Sequence, residues 1–154
     1  VGWRAAAFTG VRSVARGLEL GSHALIHAGT GLLRPSELRR VTTQRWQTFG
    51  ASESFVDSGF LPWEASFYPR FLEPDDGVLL VGCGTGRDLL ALLRAGYRSE
   101  GLEPAAKAAA TARAVLLARG FTAPVHIGWI EDAPLSRSYD AIVFSWHCYS
   151  YLPL

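Results

Sequence analysis

The chain has 154 residues, 49% of them apolar and 19% charged, which fits a packed globular core and excludes a disordered or fibrous chain. A formal net charge of +1 gives no global electrostatic reason to expect a nucleic-acid or acidic-lipid partner, although the charge is uneven: residues 1–50 hold seven Arg and two Glu, residues 51–154 eight basic and twelve acidic groups. Cys83 and Cys148 have no C-x-x-C spacing, so neither a disulfide framework nor a zinc site is expected, and a reducing, cytoplasmic location fits best.

Residues 1–18 carry Arg4, Arg12 and Arg16 without an acid until Glu19. Organellar transit segments share that pattern, but Ala and Gly in place of Ser favour an ordinary basic helix. The sequence starts with Val and has no Met, so either an initiator is missing or the ends are not natural ones. The longest apolar stretch, residues 18–33, contains Glu19, His23 and His27 and falls short of the roughly 18 to 20 clean residues of a membrane span; no membrane partner is expected. His23 and His27 have the spacing of a helical metal pair, yet the Glu of H-E-x-x-H is missing, so no metal is expected. Glycines at 10, 17, 21, 29 and 31 interrupt any helix in this part.

A firmer helix is predicted over residues 35–49, with Pro35 in its first turn, Glu37 near its positive end and Gly50 closing it. Residues 52–71 mix Phe55, Phe60, Trp63, Phe67 and Tyr68 with Gly59, Pro62 and Pro69, and read as an aromatic loop with a short helix. From Asp76 the pattern becomes regular. Apolar runs at 78–81, 97–102, 125–130 and 141–145 read as strands, and residues 87–95 and 105–119 as helices stopped by Gly96 and Gly120. Strands alternating with helices mark an α/β fold with a parallel sheet. The organisation expected is a helical, aromatic, lid-like segment over 1–71 and a cofactor-binding unit over 72–154.

The most informative stretch is "VLLVGCGTGRDLLALL", in which Gly82, Cys83, Gly84, Thr85 and Gly86 lie between a strand and a helix. Glycines there let the backbone turn tightly and approach a ligand at the C-terminal edge of a sheet. A dinucleotide fingerprint asks for Gly where Arg87 stands, and a P-loop asks for a Lys-Ser/Thr pair that does not follow.

With G-x-G-x-G after an apolar strand, the sequence resembles the class I S-adenosylmethionine-dependent methyltransferases over about residues 35–154. The resemblance implies a Rossmann-like parallel sheet of order 3-2-1-4 with S-adenosyl-L-methionine as cofactor. It implies that Glu103, at the end of the second strand and followed by Pro104, accepts from the ribose hydroxyls. It implies also that Asp132, in the turn with Glu131 and Ala133, accepts from the adenine amino group; Glu131 beside it leaves the choice of acid open. "YDAIVFS" is similar to the family's fourth strand. Leu80 departs from the pattern, since many members carry an acid there, but the thiopurine branch also has an apolar residue at that place. Pro62-Trp63-Glu64 is similar to that branch's Pro-Trp-acid and points to a small-molecule acceptor. Family sheets continue through three more strands, so the chain is expected to be a C-terminally truncated fragment whose fourth strand is an exposed apolar edge available for self-association. A second departure is the short gap between Ile130 and Tyr139, which implies a misplaced strand end or an extended connection.

Methyl transfer from a sulfonium gains from alignment and exclusion of water, and a dedicated base is optional. In "SWHCYSY" the expected acceptor wall is Trp146, Tyr149 and Tyr151, with His147 either part of that wall or a general base. Trp46, Phe49 and Trp63 are expected to contribute to a lid. Two other readings remain: a nicotinamide-dependent oxidoreductase, which shares the strand–glycine–helix unit, and a non-catalytic binding module.

Overall fold

Val78, Leu79, Leu80 and Val81 have no polar side chain to turn toward water, and β1 (Gly77–Val81) is buried along its whole length. In the computed structural model described here, β1 lies inside a parallel sheet. On one side it pairs with β2 (Arg98–Glu103), Val81 opposite Leu102. On the other it pairs with β4 (Ala141–Phe144), Val81 opposite Phe144. The short strand β3 (Val125–Ile127) adds to the far side of β2, with Glu103 opposite Ile127. Among the described residues the order is thus β3-β2-β1-β4, as expected from the sequence. The structure describes residues 17, 18, 21, 29, 32–48, 50–133, 135, 137–145 and 148. The chain divides into two compact units, Val1–Arg39 and Arg40–Leu154, and the sheet belongs to the second.

The helices follow their sequence signals within a residue or two. The 35–49 prediction appears as α1 (Pro35–Gln47). In place of one short helix, residues 52–71 hold α2 (Glu53–Val56), capped by the Ser52 hydroxyl, α3 (Pro62–Phe67) and a 3₁₀ turn over Tyr68–Arg70. Then come α4 (Arg87–Arg94), ended by Gly96 at φ 94°, and α5 (Ala106–Ala118), ended by Gly120 at φ 80°. Both glycines take the left-handed conformation that helix C-termini favour.

The two sheet faces are covered differently. Val78 and Leu80 pack with Leu89, Leu90, Leu92, Ala109, Ala112 and Leu116 of α4 and α5. Each buried Leu there stabilises the fold by about 1.5–3 kcal/mol. The opposite face, Leu79, Val81 and Leu102, meets only partly buried side chains from the connection between β3 and β4: Ile130, Ala133, Leu135 and Tyr139. No helix is described there.

That connection corrects one expectation. Strand β3 stops at Ile127 instead of running to residue 130: the Gly128 amide makes the last ladder bond, to the Glu103 carbonyl, Pro104 after β2 has no N–H to continue the ladder, and the chain then turns, Asp132 N–H donating to the Trp129 carbonyl. Residues 128–140 therefore form the crossover, long enough for a parallel connection and made of turns and bends, with no helix, where described. Strand β4 is an edge among the described residues, with Ile142 53% and Phe144 36% exposed.

Candidate functional site

Because β1, β2 and β3 end at one edge of the sheet, the glycine loop, Glu103-Pro104, residues 128–130 and Ser145 converge there. Gly82, Gly84 and Gly86 have φ values of 73°, 53° and 98°, a region that costs most other residues about 1–3 kcal/mol. Their surroundings differ. A side chain on Gly82 would run into the Cys148 thiol, and one on Gly86 would press on the backbone of Ala112 at 3.2 Å. One on Gly84 would meet nothing within 4 Å, so this glycine presents open backbone to the space in front of the loop.

Glu103 faces that loop. Its Oε2 accepts from the Gly84 amide at 2.9 Å and its Oε1 from the Ala105 amide at 2.8 Å, and the residue is only 4% exposed. Burial raises the carboxyl pKa above the ordinary value, and the Ala105 and Gly84 amides oppose that rise. A carboxylate has about four acceptor positions, so two amide donors leave it able to accept more.

A cleft opens here, about 610 Å³ counted with the solvent at its mouth. Of the residues expected from the sequence, Gly82, Gly84, Glu103 and Pro104 line it, as does Trp46. Cys83 does not: it is 5% exposed and packs into the core against Gly101, with its thiol pKa pushed up by burial and then by the Glu103 charge. Thr85 is buried outside the lining, and Gly86 serves the packing of α5. Glu131 and Asp132 are exposed in the turn after Ile130, and Ala133 packs on the sheet. Trp63 is 57% exposed and away from the cleft. His147, Trp146, Tyr149, Tyr151, Phe49, His23 and His27 lie outside the described residues.

Sequence reasoning missed Thr42, Gly128, Trp129, Ile130, Ser145 and Cys148. The apolar run through Ile130 was the only signal for the wall at 128–130, and it reads equally as strand. The Cys148 thiol, pushed up to about 12 by burial and then by Glu103, stays neutral, and it donates to the Val81 carbonyl at 3.2 Å.

Beneath the loop lies a buried charge network. Arg87 Nη2 donates to Glu64 Oε1 at 2.7 Å, and Glu64 Oε2 accepts from the Leu61 amide at 2.7 Å. Arg87 also pairs with Asp88, and Asp88 accepts from the Ser145 hydroxyl. The network thus ties α3, the first turn of α4 and the residue after β4 together directly under the cleft. Among the described residues no cluster of side chains suited to a metal ion is present, and no helix is long and apolar enough to cross a membrane.

Comparison with known proteins agrees with this fold. Among solved structures, one described by the conversion of a disulfide bond into a thioacetal group during echinomycin biosynthesis is 28% identical, with a TM-score of 0.52 over 60% of this chain and 39% of that one. Protein arginine methyltransferase 10 of Arabidopsis thaliana is 25% identical, TM-score 0.51, over 68% of this chain and 31% of that one. The glycopeptide N-methyltransferase MtfA, complexed with sinefungin, is 19% identical, TM-score 0.51, over 68% of this chain and 42% of that one, and shares the fold. The chain thus spans about a third to two fifths of the length of these structures. No curated protein matches it. The family described as "Methyltransferase domain" matches residues 78–154, half of the chain, from the first apolar residue of β1 onward, and the chain belongs to that family.

Proposed function

We propose that the cleft binds S-adenosyl-L-methionine and that the chain supplies the cofactor side of a methyltransferase acting on a small-molecule acceptor. The observation that carries this reading is Glu103: an almost fully buried carboxylate held at the glycine loop by two backbone amides, with acceptor capacity left on the cleft side. Such a group suits a neutral diol, since a ribose offers two hydroxyl donors and no competing charge.

The rest of the cleft fits the other parts of the cofactor. Val81, Trp129 and Ile130 offer apolar surface for a purine, and the open face of Gly84 allows close approach to the loop. Pro104 supports the Glu103 turn. Asp132, with Glu131 and Ala133 in the same turn, is assigned as acceptor for the adenine amino group. When bound, the cofactor supplies a methyl group on a sulfonium, transferred as the positive charge disappears. The protein's work is then to fix the donor and exclude water. The acceptor side is assigned from the sequence to Trp146, Tyr149 and Tyr151, with His147 beside them as the candidate base.

Titration calorimetry with S-adenosylmethionine, S-adenosylhomocysteine and NADH tests the reading. Saturable heat with the two adenosyl sulfur compounds and none with NADH is expected. Binding of NADH alone, or no binding of any of the three, overturns it.

A further inference from the structure

Glu100 lies in β2, outside the cleft, and three side chains converge on its carboxylate. His126 Nε2 is 2.7 Å from Oε2, the Tyr139 hydroxyl donates to the same oxygen at 2.8 Å, and Arg137 Nη2 is 2.8 Å from Oε1. The Arg137 guanidinium also lies over the Tyr139 ring, 4.9 Å from its centre. Burial alone would raise the Glu100 pKa, but the hydrogen bonds from His126 and Tyr139 and the charge of Arg137 outweigh it and hold the group below its ordinary value. The carboxylate is therefore ionised at neutral pH and able to serve all three partners.

The position of these partners gives the cluster its meaning. His126 is the middle residue of β3, two residues before the connection over residues 128–140, while Arg137 and Tyr139 stand near the far end of that connection. Between them, Gly128, Trp129 and Ile130 form one wall of the cleft. Among the described residues the connection holds no helix; it packs on Leu79, Val81 and Leu102 and is hydrogen-bonded to the sheet at its two ends, the Gly128 amide donating to the Glu103 carbonyl and the Asp140 amide to the Gly77 carbonyl. One carboxylate thus holds the far end of this segment beside the strand from which the segment leaves, and the first part of the same segment faces the ligand space.

We propose that Glu100 is a positioning residue for the cleft: it clasps the 128–140 connection to the sheet so that Trp129 and Ile130 stand ready as a wall before the ligand arrives. The proposal rests on the functional reading above. Ordering that wall in advance removes a cost otherwise met on binding, so the clasp acts on affinity for the adenosyl compound and not on the chemical step.

The test uses the full chain with Glu100→Ala, Glu100→Gln and, as a control for general loss of stability, Asp57→Asn, which loosens an ion pair away from the cleft. Hydrogen–deuterium exchange of residues 128–140 is measured without ligand, and the Kd for S-adenosylhomocysteine by calorimetry. In Glu100→Ala, exchange is expected to accelerate in 128–140 and Kd to weaken about tenfold, a modest preorganisation effect. Glu100→Gln keeps an acceptor for Tyr139 and should recover part of both. Asp57→Asn should lower Tm and leave both readouts alone. Should Glu100→Ala not fold, Arg137→Ala combined with Tyr139→Phe removes two of the three partners and carries the same expectations. Unchanged exchange, faster exchange with unchanged Kd, or an equal loss of affinity in Asp57→Asn overturns the clasp. Absence of binding by the wild-type chain instead overturns the functional reading, and the proposed role with it.

Discussion

Glu64 and Arg87 meet at 2.7 Å although 23 residues separate them in sequence, and their side chains are 1% and 4% exposed. Taking two such charges out of water is costly, so the pair holds only because each ion has further partners: the Leu61 amide for Glu64, Asp88 and the face of the Phe55 ring for Arg87. Removing Glu64 takes one counter-charge from the buried Arg87 and leaves it Asp88. Glu64→Ala is therefore expected to cost about 3–5 kcal/mol of folding stability. Glu64→Leu with Arg87→Met and Asp88→Asn should recover much of that loss, since removing all three charges together avoids the desolvation cost, while the amide side chain in place of Asp88 keeps an acceptor for the Ser145 hydroxyl. Urea denaturation of the three proteins checks it. A triple variant no more stable than Glu64→Ala contradicts the argument.

Asp57 makes a different kind of ion pair. At the end of α2 it accepts from Arg119 Nε at 2.8 Å and Nη2 at 2.5 Å, and from Arg94 Nη2 at 3.0 Å, so it joins the ends of three helices at the surface. The Arg119 hydrogen bonds, aided by Arg94, pull its pKa down to about 2 against the opposing effect of desolvation. A depressed carboxyl pKa means that the stabilisation is present above the ordinary value near 4 and is lost as pH falls through about 2. The Tm gap between wild type and Asp57→Asn should therefore be open at pH 6 and close between about pH 4 and 2. Because the group is exposed, 1 M salt should also narrow the gap at pH 6. A gap independent of pH and salt would count against a charge-based origin.

The second unit is the part of the fold that could be read from the sequence, and the reason is physical. Strand β1 and helix α4 are buried runs bounded by glycines, and α5 is an alanine-rich helix with a glycine stop, so local pattern and final environment agree. Strand β3 was read too long because nothing in "VHIGWI" distinguishes a buried strand from a strand followed by an apolar wall; only the end of its partner β2 at Glu103, before Pro104, and the turn from Trp129 to Asp132 decide it. The same limit applies to the site. Glu103 could be placed near the glycine loop from its position at the end of the second strand, whereas Ser145 and Cys148 reach the cleft only once β4 has paired with β1. Arg87 was visible as a departure from the dinucleotide pattern, but its partner Glu64 was not, since pairing of buried charges leaves no periodicity.

Gly82 and Gly84 share a motif and a left-handed backbone, yet their substitutions should fail differently. At Gly82 an added methyl collides with Cys148 and adds backbone strain, so Gly82→Ala should lose several kcal/mol, read as a large fall in Tm or in soluble yield. At Gly84 the space is open, so Gly84→Ala carries only the backbone strain of about 1–2 kcal/mol and keeps the fold. Its methyl projects into the ligand space, and binding of S-adenosylhomocysteine should weaken about tenfold or more. Equal Tm losses in the two variants, or unaltered binding in Gly84→Ala, would overturn this division of labour.

Glu103 offers the sharpest test because its effects on stability and on binding have opposite signs with pH. Burial raises its pKa in the folded chain, so the folded state holds this proton more tightly than the unfolded one. The charge therefore weakens the unliganded fold above the folded pKa, and that cost is relieved as pH falls through it toward the unfolded value. Binding runs the other way: the ionised carboxylate is the acceptor for the ligand's hydroxyls, so affinity should decline with acidity, by about tenfold per pH unit below the folded pKa if only the ionised form binds. The decline should begin at a higher pH than an ordinary exposed Glu would give. Glu103→Gln leaves one amide donor facing its NH₂ group and should bind about 10- to 150-fold more weakly at pH 7, the effect of about 1.5–3 kcal/mol for a hydrogen bond to a charged group. It should lack both pH dependences. Measured from pH 8 to 4, the Tm difference should move in favour of wild type as the solution becomes more acidic, while the advantage of wild type in affinity shrinks. If both differences move in the same direction, the buried carboxylate is not the group that senses the ligand.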